Sequence, residues 1–217
     1  MNFRLLLIPL TIHFSFGVGD KPLELSTATY KNAFGEPFSV EQCKYYISDI
    51  TVIGEDGKTQ LIFSGAHLVD AADSPTLTLN LTTDIAGITK IRFKLGVDSE
   101  TAAGDVKTGD LDPMLGMFWT WNTGYVFARL EGQSDSARAP AHRYTWDVGG
   151  YRTGVNAVRE ISLSVGGSSP ITIKANILHW FDGRHPIHLA QTPICHQPGA
   201  LAMQLADNYS TLFSLSQ

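Results

Sequence analysis

Short runs rich in β-branched and aromatic residues recur along this chain, each closed by Gly, Pro, Asp or Ser, and that rhythm constrains its fold more than any other feature. Branched and aromatic side chains suit a pleated, half-buried surface, whereas the closing residues suit turns. Residues 11–16 form the first run, which ends at Gly17-Val18-Gly19-Asp20. Residues 44–53 form the next, stopped by Glu55-Asp56-Gly57-Lys58, whose Asp-Gly pair supplies the positive φ of a tight hairpin; Leu61-Ile62-Phe63 is the expected partner. Further runs cover 77–81, 88–97, 124–131, 161–165 and 171–177. Strands at this spacing, without amphipathic helices between them, predict an all-β, antiparallel fold, a β-sandwich or barrel rather than a chain of βαβ units. One short C-terminal helix is expected over 200–209, where good helix formers follow Pro198-Gly199.

At 217 residues the chain is long enough to bury a full core without cross-links. With 43% hydrophobic against 17% charged residues, it is expected to fold on its own. No internal repeat is visible, and 132–140, the most linker-like stretch, is too short to separate domains, so 11–217 is read as one domain. The net charge of −5 comes from scattered acids, with no Lys/Arg run to neutralise a row of phosphates, which argues against nucleic acid as a partner. No stretch reaches the roughly 20 apolar residues of a membrane helix, so no membrane span is expected. Residues 1–10 place Arg4 ahead of Leu5-Leu6-Leu7-Ile8 and read as part of a signal peptide; either the true start lies upstream or the leader runs into the first strand. Cys43 and Cys195 are either a disulfide or two buried thiols. In an oxidising compartment a bridge closing so long a loop would stabilise by about 4–5 kcal/mol.

The least ordinary segment runs from Gly109 to Tyr125 and contains Met117-Phe118-Trp119-Thr120-Trp121-Asn122-Thr123-Gly124-Tyr125. Strand alternation would put Trp119 and Trp121 on one face together with Met117. On residue grounds alone, such a cluster is more often part of a core than of a site.

Several stretches follow one another in a telling order: Tyr45-Tyr46-Ile47-Ser48-Asp49-Ile50, Lys94-Leu95-Gly96-Val97-Asp98, Gly109-Asp110-Leu111-Asp112-Pro113, the Met117–Tyr125 segment and Leu130-Glu131-Gly132. Pro22-Leu23 and Ala206-Asp207-Asn208-Tyr209 fit the same series. Through most of its length the chain resembles the MbnP-like domain family. That resemblance implies a periplasmic or extracellular β-sandwich for copper acquisition, paired with a di-haem peroxidase-like partner, in which a tryptophan oxidised to kynurenine binds Cu(I) beside histidines. Trp119 and Trp121 are the residues it marks for oxidation. Kynurenine exposes an aromatic amine and a ketone, and imidazole and thioether are suitable partners for Cu(I). The chain departs from the family pattern in Tyr144-Thr145-Trp146-Asp147-Val148-Gly149-Gly150, where Asp147 stands in place of an expected His. A hard carboxylate suits Cu(I) poorly, so other ligands, a different ion or no ion all remain open.

The candidate metal residues are therefore Met117, Trp119, Trp121, His13, His142, Asp147 and His196. His13 alternates with Ile12, Phe14 and Phe16 and should face away from them. His142 lies near Asp147 in sequence, and His196 follows Cys195, a soft neighbourhood while that thiol is reduced. His179, His185 and His188 read as solvated residues of a late loop. Asp98, Asp105, Asp110 and Asp112 are dense enough to cage Ca²⁺, although their spacing is not that of an EF-hand and turn stabilisation is the ordinary use of such residues. The chain has no GxSxG, HExxH, P-loop or GxGxxG leading into a helix, so no enzyme is expected. A second reading is a metal-free protein- or glycan-binding module that uses Trp146 and Trp180 as an exposed platform.

Overall fold

The computed structural model describes residues 7–103, 107–120, 124–166 and 169–216. Its strands are β1 (Ile8–Val18), β2 (Lys21–Pro22), β3 (Tyr30–Lys31), β4 (Pro37–Gly54), β5 (Thr59–Asp70), β6 (Thr78–Thr83) and β7 (Ile88–Leu95). They continue as β8 (Phe118–Trp119), β9 (Gly124–Gln133), β10 (Arg143–Gly149), β11 (Arg159–Ser164), β12 (Ile171–Asn176), β13 (Ile194–Cys195) and β14 (Phe213–Leu215). Helices α1 (Ser99–Ala103), α2 (His179–Asp182) and α3 (Ala200–Tyr209) accompany them.

The strands make a sandwich-like pair of sheets. The smaller has the order β14-β12-β1-β2, with β6 also on β1; the larger has the order β11-β7-β4-β9-β10-β13, with β3 and β5 also on β4 and β8 on β9. Pairing is antiparallel apart from β1 with β12 and β10 with β13. The long strand β4 is the spine: its first half pairs with β9, its second half with β7, and β5 runs along its other side. Its apolar alternation slips at a bulge around Asp49, which takes φ 52° and turns its carboxylate out to Lys94 Nζ at 2.7 Å.

The core has two covers. Over β4 and β7 lies the small sheet, where Phe16 and Phe213 meet Tyr45 at 5.4 and 5.3 Å and Phe213 meets Phe93 at 5.4 Å. Over β9 and β10 lie the helices: Phe181 meets Phe38 at 4.7 Å and Trp146 at 5.2 Å, while Trp180 stacks on Trp146 at 6.1 Å. The expected C-terminal helix is α3; α1 and α2 are additional, and at five and four residues they are too short to show a helical period in sequence. Trp146 and Trp180 are wholly buried, so the exposed platform expected of them does not exist. The reason is local. Trp146 lies on the inward face of β10, where its indole N–H donates to Thr192 O at 2.8 Å, and Trp180 lies in α2 above it.

The disulfide held open above is also corrected. Cys43 pairs across the sheet with Leu130, Leu130 with Trp146, and Trp146 with Cys195. The two cysteines stand in one row three strand spacings apart, about 14 Å, and a disulfide spans no more than about 7 Å between Cα atoms. Both are free, buried thiols. Burial pushes the Cys195 thiol up to about 11 and the Cys43 thiol higher still. No described helix is long and apolar enough to cross a membrane.

Candidate functional site

Because Tyr45, Ala128 and the neighbouring Val148 face the core, alternation turns Lys44 and Tyr46 of β4, Tyr125, Phe127 and Arg129 of β9, and Asp147 and Gly149 of β10 to the other side of the large sheet. Residues 107–119 lie over that side. The Tyr46 hydroxyl donates to Asp110 O at 2.9 Å, the Tyr125 hydroxyl donates to Leu111 O at 3.0 Å, and Phe118 meets the Tyr125 ring at 5.0 Å. Two single turns of 3-10 helix, Gly109–Leu111 and Pro113–Leu115, give the segment its path. Asp112 ends the first and caps the second by accepting from Met114 N at 2.9 Å, Pro113 opens it, and Gly116 closes it at φ 80°. Trp119 then pairs with Gly124.

Trp119 is 5% exposed, and its ring rests on Gly149. A Cβ at Gly149 would fall 2.4 Å from Tyr125 O and 3.0 Å from Trp119 Cζ3, so a side chain there would displace the indole. Beside Trp119 opens a cavity of about 250 Å³, lined among others by Tyr125, Tyr151, Arg152, Val155 and Pro198. Two residues before Gly149, Asp147 takes a bidentate grip on Arg129, with Nε to Oδ1 at 2.6 Å and Nη2 to Oδ2 at 3.0 Å. Burial disfavours the Arg129 cation, but the Asp147 hydrogen bonds and charge outweigh it and hold the guanidinium protonated. His196, just past β13, brings Nδ1 to 3.4 Å from Asp147 Oδ2, with its ring half exposed.

The structure thus gathers four of the predicted residues, Met117, Trp119, Asp147 and His196, around β9, β10 and β13. Met117 is buried, and its carbonyl accepts from Val126 N at 3.0 Å. The others lie apart. His13 sits in the small sheet with Nδ1 3.0 Å from Thr78 Oγ1. His142 precedes β10 at the end away from Gly149, with Nδ1 3.3 Å from Ala137 O, and five extended residues put it about 16 Å along the strand from Asp147. Trp121 and Asp105 lie outside the described residues. Asp98, Asp110 and Asp112 form no cage: Asp98 accepts from Thr101 N, Asp110 from Leu68 N and Asp112 from Met114 N. His179, His185 and His188 are tied to Thr211, Asp207 and the Phe34 ring rather than loosely solvated. Among the described residues, no three His, Cys, Asp or Glu side chains converge as a metal site. Arg129 and His67 were missed; the one available signal was an Arg inside the apolar run 124–131.

A family model for MbnP matches residues 8–197. The chain belongs to the MbnP family. Among solved structures, MbnP from Methylosinus trichosporium superposes on this MbnP-family protein with a TM-score of 0.63, over 96% of this chain and 98% of that one. At 13% identity, that likeness shows a shared fold. No curated protein matches the sequence. Membership of the MbnP family associates the chain with copper at the level of the family.

Proposed function

We propose that this protein is a copper-binding protein rather than an enzyme, working in a periplasmic or extracellular compartment. In this reading it holds Cu(I) beside Trp119 and His196 after a di-haem peroxidase-like partner has oxidised Trp119 or Trp121 to kynurenine. The observation that carries the reading is the meeting of three distant stretches at one end of β10. Trp119 packs on Gly149, Pro198 packs on Gly150, and His196 faces Asp147.

The donors fit copper in part. His196 turns Nδ1 toward Asp147, which leaves Nε2 to donate, and a carboxylate behind an imidazole fixes the ring's orientation and tautomer. Asp147 is committed to Arg129, so its role is to orient His196 and not to ligate. An indole offers no soft donor, whereas kynurenine would add an amine and a ketone. The donor set is therefore completed by the oxidation, and bound copper would supply no step of that chemistry.

Protein isolated from its native host, or produced together with the haem partner, is the material for the test. Peptide mass spectrometry is expected to find an oxidised tryptophan at 119 or 121, and competition with a chromogenic Cu(I) chelator is expected to find retained copper. Trp119→Phe and His196→Ala should each weaken Cu(I) binding by about tenfold or more. Two intact indoles together with no Cu(I) retention would sink the reading.

A further inference from the structure

His67 takes no part in the chemistry above, yet both of its ring nitrogens are engaged. It lies on β5, 9% exposed, with Nδ1 2.6 Å from Asp110 Oδ2 and Nε2 2.9 Å from the carbonyl oxygen of Thr76. A peptide carbonyl only accepts, and so does an ionised carboxylate. A neutral imidazole has one donor and one acceptor, so it satisfies one of these two contacts and leaves a lone pair facing oxygen at the other. Both contacts are made only when the pair carries one proton more than a neutral imidazole and a carboxylate do, whichever of the two holds it across the 2.6 Å contact.

We propose that His67 and Asp110 form a proton-dependent clamp that positions residues 109–119, and with them Trp119. Asp110 also accepts from Leu68 N at 3.3 Å, so one carboxylate docks the segment on β5. Through Thr76, the same imidazole ties β5 to the 3-10 turn Ser74–Leu77. The other ionisable residues around the clamp make contacts of their own. From β4, the Tyr46 hydroxyl donates to Asp110 O, and Lys44 pairs with Asp70 of β5 at 2.8 Å. From the segment, Asp112 caps its turn; from β9, Tyr125 bonds Leu111 O; Asp73 offers its carbonyl to Thr76 Oγ1. Of these groups and Asp110, only Asp110 lies within hydrogen-bond distance of the ring.

Losing the proton sets the Nε2 lone pair against the Thr76 carbonyl, turning that contact from a bond into a repulsion, and leaves the bond to Asp110 with one charged partner instead of two. The segment then loosens without detaching, because the Tyr46 and Tyr125 hydroxyls still hold it. The clamp rests on the His67 geometry alone; its bearing on copper rests on the function proposed above.

The test is NMR on the full chain without copper, following the His67 ring nitrogens and amide hydrogen exchange between about pH 5 and 8. The reporting amides are Leu68, Asp112, Leu115 and Gly116, which donate to Asp110 Oδ2, Gly109 O, Asp112 O and Pro113 O. With intrinsic exchange divided out, protection at these amides is expected to fall about tenfold or more as pH rises, with the same midpoint as the His67 ring. Amides of the β9–β10 ladder should keep theirs. His67→Gln, which keeps a donor but cannot titrate, should give pH-independent protection. Flat protection while the ring titrates, or a step that persists in His67→Gln, overturns the clamp. If that variant does not fold, the coincidence of the two wild-type midpoints decides alone. A failed clamp leaves the copper titrations of Trp119 and His196 standing, and a failure of copper binding leaves this result untouched.

Discussion

Replacing Arg129 with methionine removes a cation from beneath the tryptophan segment and strands the Asp147 carboxylate. The side chains are 15% and 7% exposed, and two hydrogen bonds, at 2.6 and 3.0 Å, are lost together. A hydrogen bond to a charged group is worth about 1.5–3 kcal/mol, but the larger penalty is the partly buried charge left behind. Breaking one side of a buried pair costs about 3–5 kcal/mol. The half-exposed His196 admits water beside Asp147, which places this site at the lower end, about 3 kcal/mol. Adding Asp147→Leu removes the stranded charge, so the double variant should return to within about 1.5 kcal/mol of wild type. Urea denaturation of the four proteins, with unchanged m-values, gives the coupling directly. A loss below about 0.5 kcal/mol for Arg129→Met would refute the reasoning, because that is the value of a solvated surface pair. Asp147 would then be free to leave Arg129, and its exclusion as a ligand would fall with it.

Glu36 gives a pH-dependent counterpart. Burial raises its carboxyl, but hydrogen bonds from Asn32 and from the backbone of Ala190 and Leu189 outweigh this and hold it below the usual carboxylate range. Its stabilisation is therefore complete above the unfolded value near about 4.3 and is lost as pH falls through the folded value. Glu36→Gln should lower unfolding free energy by about 1–3 kcal/mol at neutral pH, and the gap to wild type should close in acid when urea midpoints are compared. The buried thiols of Cys43 and Cys195 should resist iodoacetamide in the native protein and react in urea, and reductant should leave the melting temperature unchanged. A melting temperature that falls with reductant would contradict the sheet register that separates them.

The strands were legible where one face is buried and turn residues punctuate the pattern, as in β1, β7 and β12. Strand β10 was not, because six of its seven residues are buried: helices cover one face and the tryptophan segment approaches the other, so no alternation survives in its sequence. The same double covering hid Trp146. On β10 its strand neighbours Tyr144 and Val148 place it in the core, where it offers no platform.

The site was legible as a segment and illegible as an arrangement. Trp119 stands out by residue type, but nothing local tells that Gly149 is the floor beneath it or that the stretch after β13 returns beside β10. The departure at Asp147 shows why register matters more than motif here. Read in sequence, a carboxylate in place of an imidazole is simply a poor Cu(I) ligand. Read across the sheet, Asp147 lies directly opposite Arg129, and the cross-strand pair neutralises the acid while leaving its second oxygen facing His196. The carboxylate occupies the place of the expected imidazole on β10, and His196, just past β13, presents a ring beside it; in the reading proposed above, that ring takes the role of the expected one. In the copper-binding reading proposed above, His196 keeps its orientation only while Arg129 holds the acid, so the ion pair and the imidazole belong to one arrangement and should fail together.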